Sequence, residues 1–140
     1  MAYALITGAS KGIGLAIAEE LARRKFDLIL VARSESLLQD ISSRLASTYS
    51  IKTDFLALDL AQAGAALRVV EWLQGKKYAI QMLVNNAGYG LSGPFVKHSL
   101  AEHLDMMQLN MTALVELTYL FLPQLQQQSK AYILNIGSSA

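Results

Sequence analysis

Short apolar runs alternate with longer amphipathic stretches along the whole chain, the rhythm of a parallel sheet whose strands are separated by covering helices. Strands are predicted over residues 2–7, 27–31, 52–58, 81–84 and 131–136. Their apolar positions are nearly continuous rather than alternating, as strands buried on both faces require. Helices are predicted over 12–24, 34–46, 61–75 and 101–127. In the first, Ile13, Ala16, Ile17 and Leu21 recur at three- and four-residue spacing and mark an inward face, while Arg23, Arg24 and Lys25 gather at the end where cations are favoured. Ser99 followed by Glu102 reads as a capping box opening the last helix, which Pro123 kinks or shortens. The fold class is α/β, a doubly wound parallel sheet with helices on both faces.

Composition narrows the picture. A length of 140 residues suits one domain spanning 1–140, and 53% hydrophobic against 16% charged residues excludes disorder, collagen and coiled coil. A formal net charge of +1 with no basic block argues against nucleic acid or an anionic membrane surface as partner. The absence of cysteine excludes disulfides, thiolate chemistry and Cys-type zinc sites, and suits a reducing compartment. The apolar start has no basic segment before it and breaks at Thr7-Gly8, and the apolar stretch 109–122 carries Asn110 and Glu116. Neither reads as a signal peptide or membrane span, so a cytoplasmic location is expected. His98 and His103 are five apart with no HExxH pattern, so they read as surface or cap residues rather than metal ligands.

The chemistry gathers at Thr7-Gly8-Ala9-Ser10-Lys11-Gly12-Ile13-Gly14, between the first strand and the first helix. Gly8 permits a tight turn, Gly12 lets the backbone approach a pyrophosphate, and Gly14 permits close packing of helix on sheet. Lys11 precedes Gly12 instead of following the last glycine, so the Gly-Lys-Ser/Thr ending of a P-loop is missing and an ATPase reading is poor. The second strand is followed by Arg33, where an acidic residue would receive the ribose hydroxyl of NAD and an arginine suits the phosphate of NADP. Lys11 and Ser10 could serve the same phosphate, or Lys11 and Arg33 could simply be solvated. Asp59 either accepts from an adenine amino group or caps the following helix.

With Asp59-Leu60, Asn85-Asn86-Ala87-Gly88, Asn110 and Asn135-Ile136-Gly137-Ser138 in the same order, the chain resembles the N-terminal, cofactor-binding part of a short-chain dehydrogenase/reductase (SDR) over its whole length. The resemblance implies a Rossmann-like fold, incomplete at the C-terminal side, with strand 131–136 at an uncovered edge. It implies NADP(H) in preference to NAD(H), held by Gly8, Ser10, Lys11, Gly12, Ile13, Gly14, Arg33, Asp59, Leu60, Asn86, Ala87 and Gly88. Asn86 also has an amide suited to bonding nearby backbone, and Gly88 would let the ribose approach. Asn110 matches the family's helical asparagine, whose local helix distortion helps hold a proton-relay water. Ser138 matches the serine that bonds the reacting oxygen, though it reads equally as a turn serine.

In that family a tyrosine with a lysine four residues later supplies the general acid/base, and no tyrosine here has that partner. The expectation is therefore an NADP(H)-dependent oxidoreductase in a complete protein, with these 140 residues inactive and a piece of something longer. The alternative is a non-catalytic nucleotide-binding or scaffolding module. An extended-family epimerase fits the first loop and the Asn85–Gly88 segment less well. Expected partners are a small carbonyl or alcohol and, through the last helix, copies of the chain as a homodimer or homotetramer.

Overall fold

The computed structural model describes residues 2–138. Five parallel strands, β1 (Ala2–Thr7), β2 (Asp27–Ala32), β3 (Thr53–Ala57), β4 (Ala79–Asn85) and β5 (Tyr132–Asn135), form one sheet in the order β3-β2-β1-β4-β5. The chain leaves β1 to build one half of the sheet and returns to build the other, which places a topological switch between β1 and β4. Tyr3 and Leu5 of β1 face one side and Ala4 and Ile6 the other, because successive side chains of a strand alternate. On the first side they meet α3 (Ala65–Lys76) and α5 (Ala113–Gln126) through Val69, Leu73, Leu117 and Phe121. On the second they meet α1 (Gly12–Arg23) and α2 (Glu35–Tyr49) through Ala18, Leu21, Leu38 and Leu45. The doubly wound architecture is as predicted.

Four local expectations need correction. The inward face of α1 is Gly14, Ala18, Leu21 and Ala22, whereas Ile13 and Ala16 point outward and Ile13 is 61% exposed. Small residues win this face because they let the helix axis approach the sheet. Helix α3 begins only at Ala65, capped by Gly64 in a left-handed conformation, because residues 59–62 first fold a turn closed by Gln62 N–H donating to the Asp59 carbonyl. The single helix expected over 101–127 is divided into α4 (Leu100–Met107), a π-helical segment Gln108–Thr112, and α5. Pro123 does not end α5, which continues to Gln126. Strand β5 lies at the sheet edge and is exposed along its whole length, the uncovered edge that the resemblance implies for residues 131–136.

The Ser99–Glu102 capping box is present at the start of α4. Leu104, Met107, Met111, Val115 and Leu122 leave an exposed apolar stripe along α4, the π segment and α5, while Leu117 and Phe121 cover the sheet. No helix among the described residues is long and apolar enough to cross a membrane.

Candidate dinucleotide-binding site

The turn between β1 and α1 is built on two left-handed glycines, Gly8 (φ +63°) and Gly12 (φ +58°), a conformation that costs side-chain-bearing residues about 1–2 kcal/mol. At Gly12 an added Cβ would meet nothing within 4 Å, so its demand is conformational and the approach to the first turn of α1 stays open. Gly14 is the opposite case. An added Cβ would lie 2.1 Å from the Gly8 carbonyl oxygen and 2.4 Å from Asn86 Nδ2, so strand end and helix start touch here. Lys11, the N-cap residue of α1, gives no side-chain hydrogen bond to the helix. The first-turn N–H groups and the positive end of the helix field therefore face outward past Gly12, a setting that favours an anion.

Ala9 N–H donates to the Val31 carbonyl at 3.4 Å, tying the glycine turn to the end of β2. Lys11 and Arg33 are both exposed, and Ser10 is half-buried. Ser34 caps α2 through the Leu37 N–H at 3.4 Å. Asp59 folds its own turn, its Oδ1 accepting from Ala61 N–H at 2.9 Å, and does not cap α3. Leu60 is buried in the core, which leaves only its backbone for a ligand contact.

At the end of β4, Asn86 Nδ2 donates to the carbonyls of Thr7 (3.2 Å) and Gly8 (3.1 Å), bracing the glycine turn from the neighbouring strand. Thr7, which the sequence reading passes over as a strand residue, is the hub beneath it. Its buried hydroxyl donates to the Val84 carbonyl (3.3 Å) and accepts from the N–H groups of Asn86 and Ala87 (3.0 Å each). Asn85 Nδ2 donates to Asn135 Oδ1 (2.9 Å) and Thr118 Oγ1 (3.2 Å), joining β4, β5 and α5.

Asn110 lies in the π segment and closes a two-bond clamp: Tyr89 N–H donates to its Oδ1 (2.9 Å) and its Nδ2 donates to the Tyr89 carbonyl (2.7 Å). A Cβ on Gly88 would sit 2.8 Å from Asn110 Oδ1, so the close neighbour that requires glycine there is the Asn110 amide. The Tyr89 hydroxyl donates to Asp105 Oδ2 (2.5 Å), and that bond raises the phenol above its ordinary pKa. Beyond β5, Ile136 N–H donates to the Asn85 carbonyl (3.1 Å), and Ser138 follows, exposed. His98 and His103 bond the carbonyls of Ser92 (2.7 Å) and Phe95 (2.8 Å). Among the described residues no group of three or more His, Asp or Glu is placed to hold a metal ion.

An open glycine turn, an uncapped helix N-terminus and basic residues at the carboxyl ends of adjacent parallel strands define a nucleotide-binding α/β domain. The particular family follows from comparison: the short chain dehydrogenase family model matches residues 2–140, and the chain belongs to that family. It is 38% identical over 142 residues to very-long-chain 3-oxoacyl-CoA reductase-A of Danio rerio, covering 99% of this chain and 44% of that protein. A bulky-bulky ketone specific alcohol dehydrogenase from Comamonas testosteroni is similar with a TM-score of 0.90 at 37% identity, over 99% of this chain and 55% of that one. A short-chain dehydrogenase from Sphingobium yanoikuyae in complex with NADPH matches equally, with a TM-score of 0.90, 37% identity, and 99% and 54% coverage. The chain thus spans about half the length of these relatives.

Proposed function

We propose that the complete protein is an NADP(H)-dependent oxidoreductase that moves a hydride reversibly between nicotinamide and a small carbonyl or alcohol. The observation that carries this reading is the open, uncapped start of α1 behind Gly12, with Arg33 exposed at the end of the adjacent β2. The residues present fit the cofactor, since Gly12, alone among the three glycines of the turn in facing open space, lies where a pyrophosphate would meet the helix. NADP(H), when bound, supplies or accepts the hydride. Gly8, Gly12, Ile13 and Gly14 would shape its cradle, Ser10, Lys11 and Arg33 would hold its 2′-phosphate, and Asp59, Leu60, Asn86, Ala87 and Gly88 would border the rest of the cleft. Similar proteins solved with NADPH support the phosphate-bearing cofactor.

Ser138 holds the reacting oxygen of the substrate in this reading, and Asn110 lies in the π segment and fixes the backbone of Tyr89. The general acid/base lies outside these 140 residues, which contain no Tyr-x-x-x-Lys, and they are inactive by themselves. The exposed stripe of Leu104, Met107, Met111 and Val115 is proposed to join copies as a homodimer or homotetramer.

Cofactor preference is tested by Arg33→Asp, with NADPH and NADH binding followed by the fluorescence of the reduced nicotinamide. Loss of a charge-assisted contact of about 1.5–3 kcal/mol predicts a roughly 10- to 100-fold weaker NADPH complex. NADH binding changes by about twofold at most, which is under 0.5 kcal/mol. Equal losses for the two cofactors would overturn the assignment.

A further inference from the structure

The segment after β4, residues 88–98, is held at two ends by different chemistry to α4 and the π segment that follows it. Its start is fixed by Asn110 and Asp105 on Tyr89. Its end is fixed by two histidines. His98 Nε2 lies 2.7 Å from the Ser92 carbonyl oxygen, and its Nδ1 lies 3.0 Å from Glu102 Oε2. A carbonyl and a carboxylate only accept, so both ring nitrogens must donate, which only the imidazolium form does. We propose that residues 92–98 form a strap fastened to α4 by the His98 imidazolium, tight in weak acid and loosened when that ring loses a proton. Neutral His98 keeps one N–H and turns a lone pair toward the other acceptor, so one of the two bonds is lost.

The surroundings favour the charged form. The Ser92 carbonyl first, and the Glu102 carboxylate second, hold His98 above the ordinary imidazole pKa. Glu102 is held below the ordinary carboxylate value by His98 first and then by Ser99, whose N–H (3.2 Å) and hydroxyl (3.1 Å) bind its other oxygen in the capping box. The remaining groups near His98 are His103 on α4, whose ring stands edge-on at 6.0 Å, and Lys97 within the strap, whose stem packs by Gly93. Asp105 on the same helix is engaged by Tyr89. His103 adds a second attachment, stacking on Phe95 at 4.1 Å while its Nε2 donates to the Phe95 carbonyl.

The sign follows from the two shifts. The His98 contribution is fully present below the ordinary value of 6.5 and is lost as pH rises through its raised value. The Glu102 contribution is fully present above the ordinary 4.5 and is lost as pH falls through its lowered value. The strap is therefore tightest between those two ordinary values, and at the alkaline limb only its far end is released.

NMR titration of the full-length protein tests this directly, with His103→Gln used to assign the ring signals. His98 is expected to titrate above 6.5, and its midpoint is expected to fall in Glu102→Gln, where a glutamine still completes the capping box. The Phe95 and Lys97 amides should shift with the His98 midpoint while the Tyr89 amide does not. A His98 midpoint at or below 6.5, one that ignores Glu102→Gln, or Phe95 and Lys97 amides that do not follow it, would each overturn the proposal.

Discussion

Replacing Gly14 by alanine isolates the contact on which the candidate cleft is built. In a free helix the change is favourable by about 1 kcal/mol, because alanine is the better helix former. Here the new methyl would lie 2.1 Å from the Gly8 carbonyl oxygen and 2.4 Å from Asn86 Nδ2, against the 3.4 Å or more of an ordinary contact. The first obstacle is backbone, so the start of α1 must move by roughly 1 Å from β1, an overpacking that costs about 1–3 kcal/mol. The second is the amide that brings two hydrogen bonds to the turn, and losing both costs about 2 kcal/mol more. After the propensity gain, the net destabilisation is about 3 kcal/mol, or a Tm lowered by roughly 10 °C for a protein of this size. Thermal unfolding followed by circular dichroism reads it. Gly75→Ala is the control, since that glycine lies in α3 with nothing within 4 Å of an added Cβ, and it should raise stability by about 0.5 kcal/mol. If Gly14→Ala matched Gly75→Ala in sign, the tight helix–turn contact would not exist as described.

Two further substitutions test the support around the cleft. Thr7→Val keeps the side-chain shape but strands the N–H groups of Asn86 and Ala87, for about 3 kcal/mol lost in urea unfolding, whereas Thr7→Ser retains the hydroxyl and loses about 1 kcal/mol; equal losses would remove Thr7 as the hub. Tyr78 donates to Asp54 Oδ2 at 2.7 Å, and that bond, ahead of burial, pushes its phenol up to about 12 from the ordinary 10. The associated stability is present below pH 10 and is lost as pH rises through about 12. Asp54→Asn should bring the tyrosinate absorbance titration down toward 10, and an unmoved curve would contradict the assignment.

Legibility in the sequence tracks how local each cause is. Strands β1 and β2 are readable because both faces are covered, which forces apolar residues into consecutive positions. The glycine turn is readable because positive φ leaves glycine as the residue of choice at Gly8 and Gly12. The buried face of α1 misleads a hydrophobicity reading, since close approach selects Gly14, Ala18 and Ala22 over the larger Ile13. The π segment is invisible to periodicity because Gln108–Thr112 carries ordinary helix-compatible residues. Thr7 reads as a β-branched strand residue, and its role depends on partners 79 and 80 positions away. Likewise, Asp59 signals a turn but not that the helix waits until Ala65.

The two asparagines of the cleft resolve a question of role that residue type leaves open. Asn86 spends its amide N–H groups on the Thr7 and Gly8 carbonyls, and Asn110 engages both ends of its carboxamide with the Tyr89 backbone. Both ends of the Asn110 carboxamide are tied to the Tyr89 backbone, so its orientation is fixed, and in the proposed reaction Asn110 acts by position. From within the π segment it fixes the backbone of residue 89. Gly88 is bound to the same arrangement, because a Cβ there would meet Asn110 Oδ1 at 2.8 Å and open the clamp. The glycine and the asparagine therefore form one device built from two chain segments, and a larger residue at 88 should mimic the loss of Asn110 rather than merely narrow the cleft.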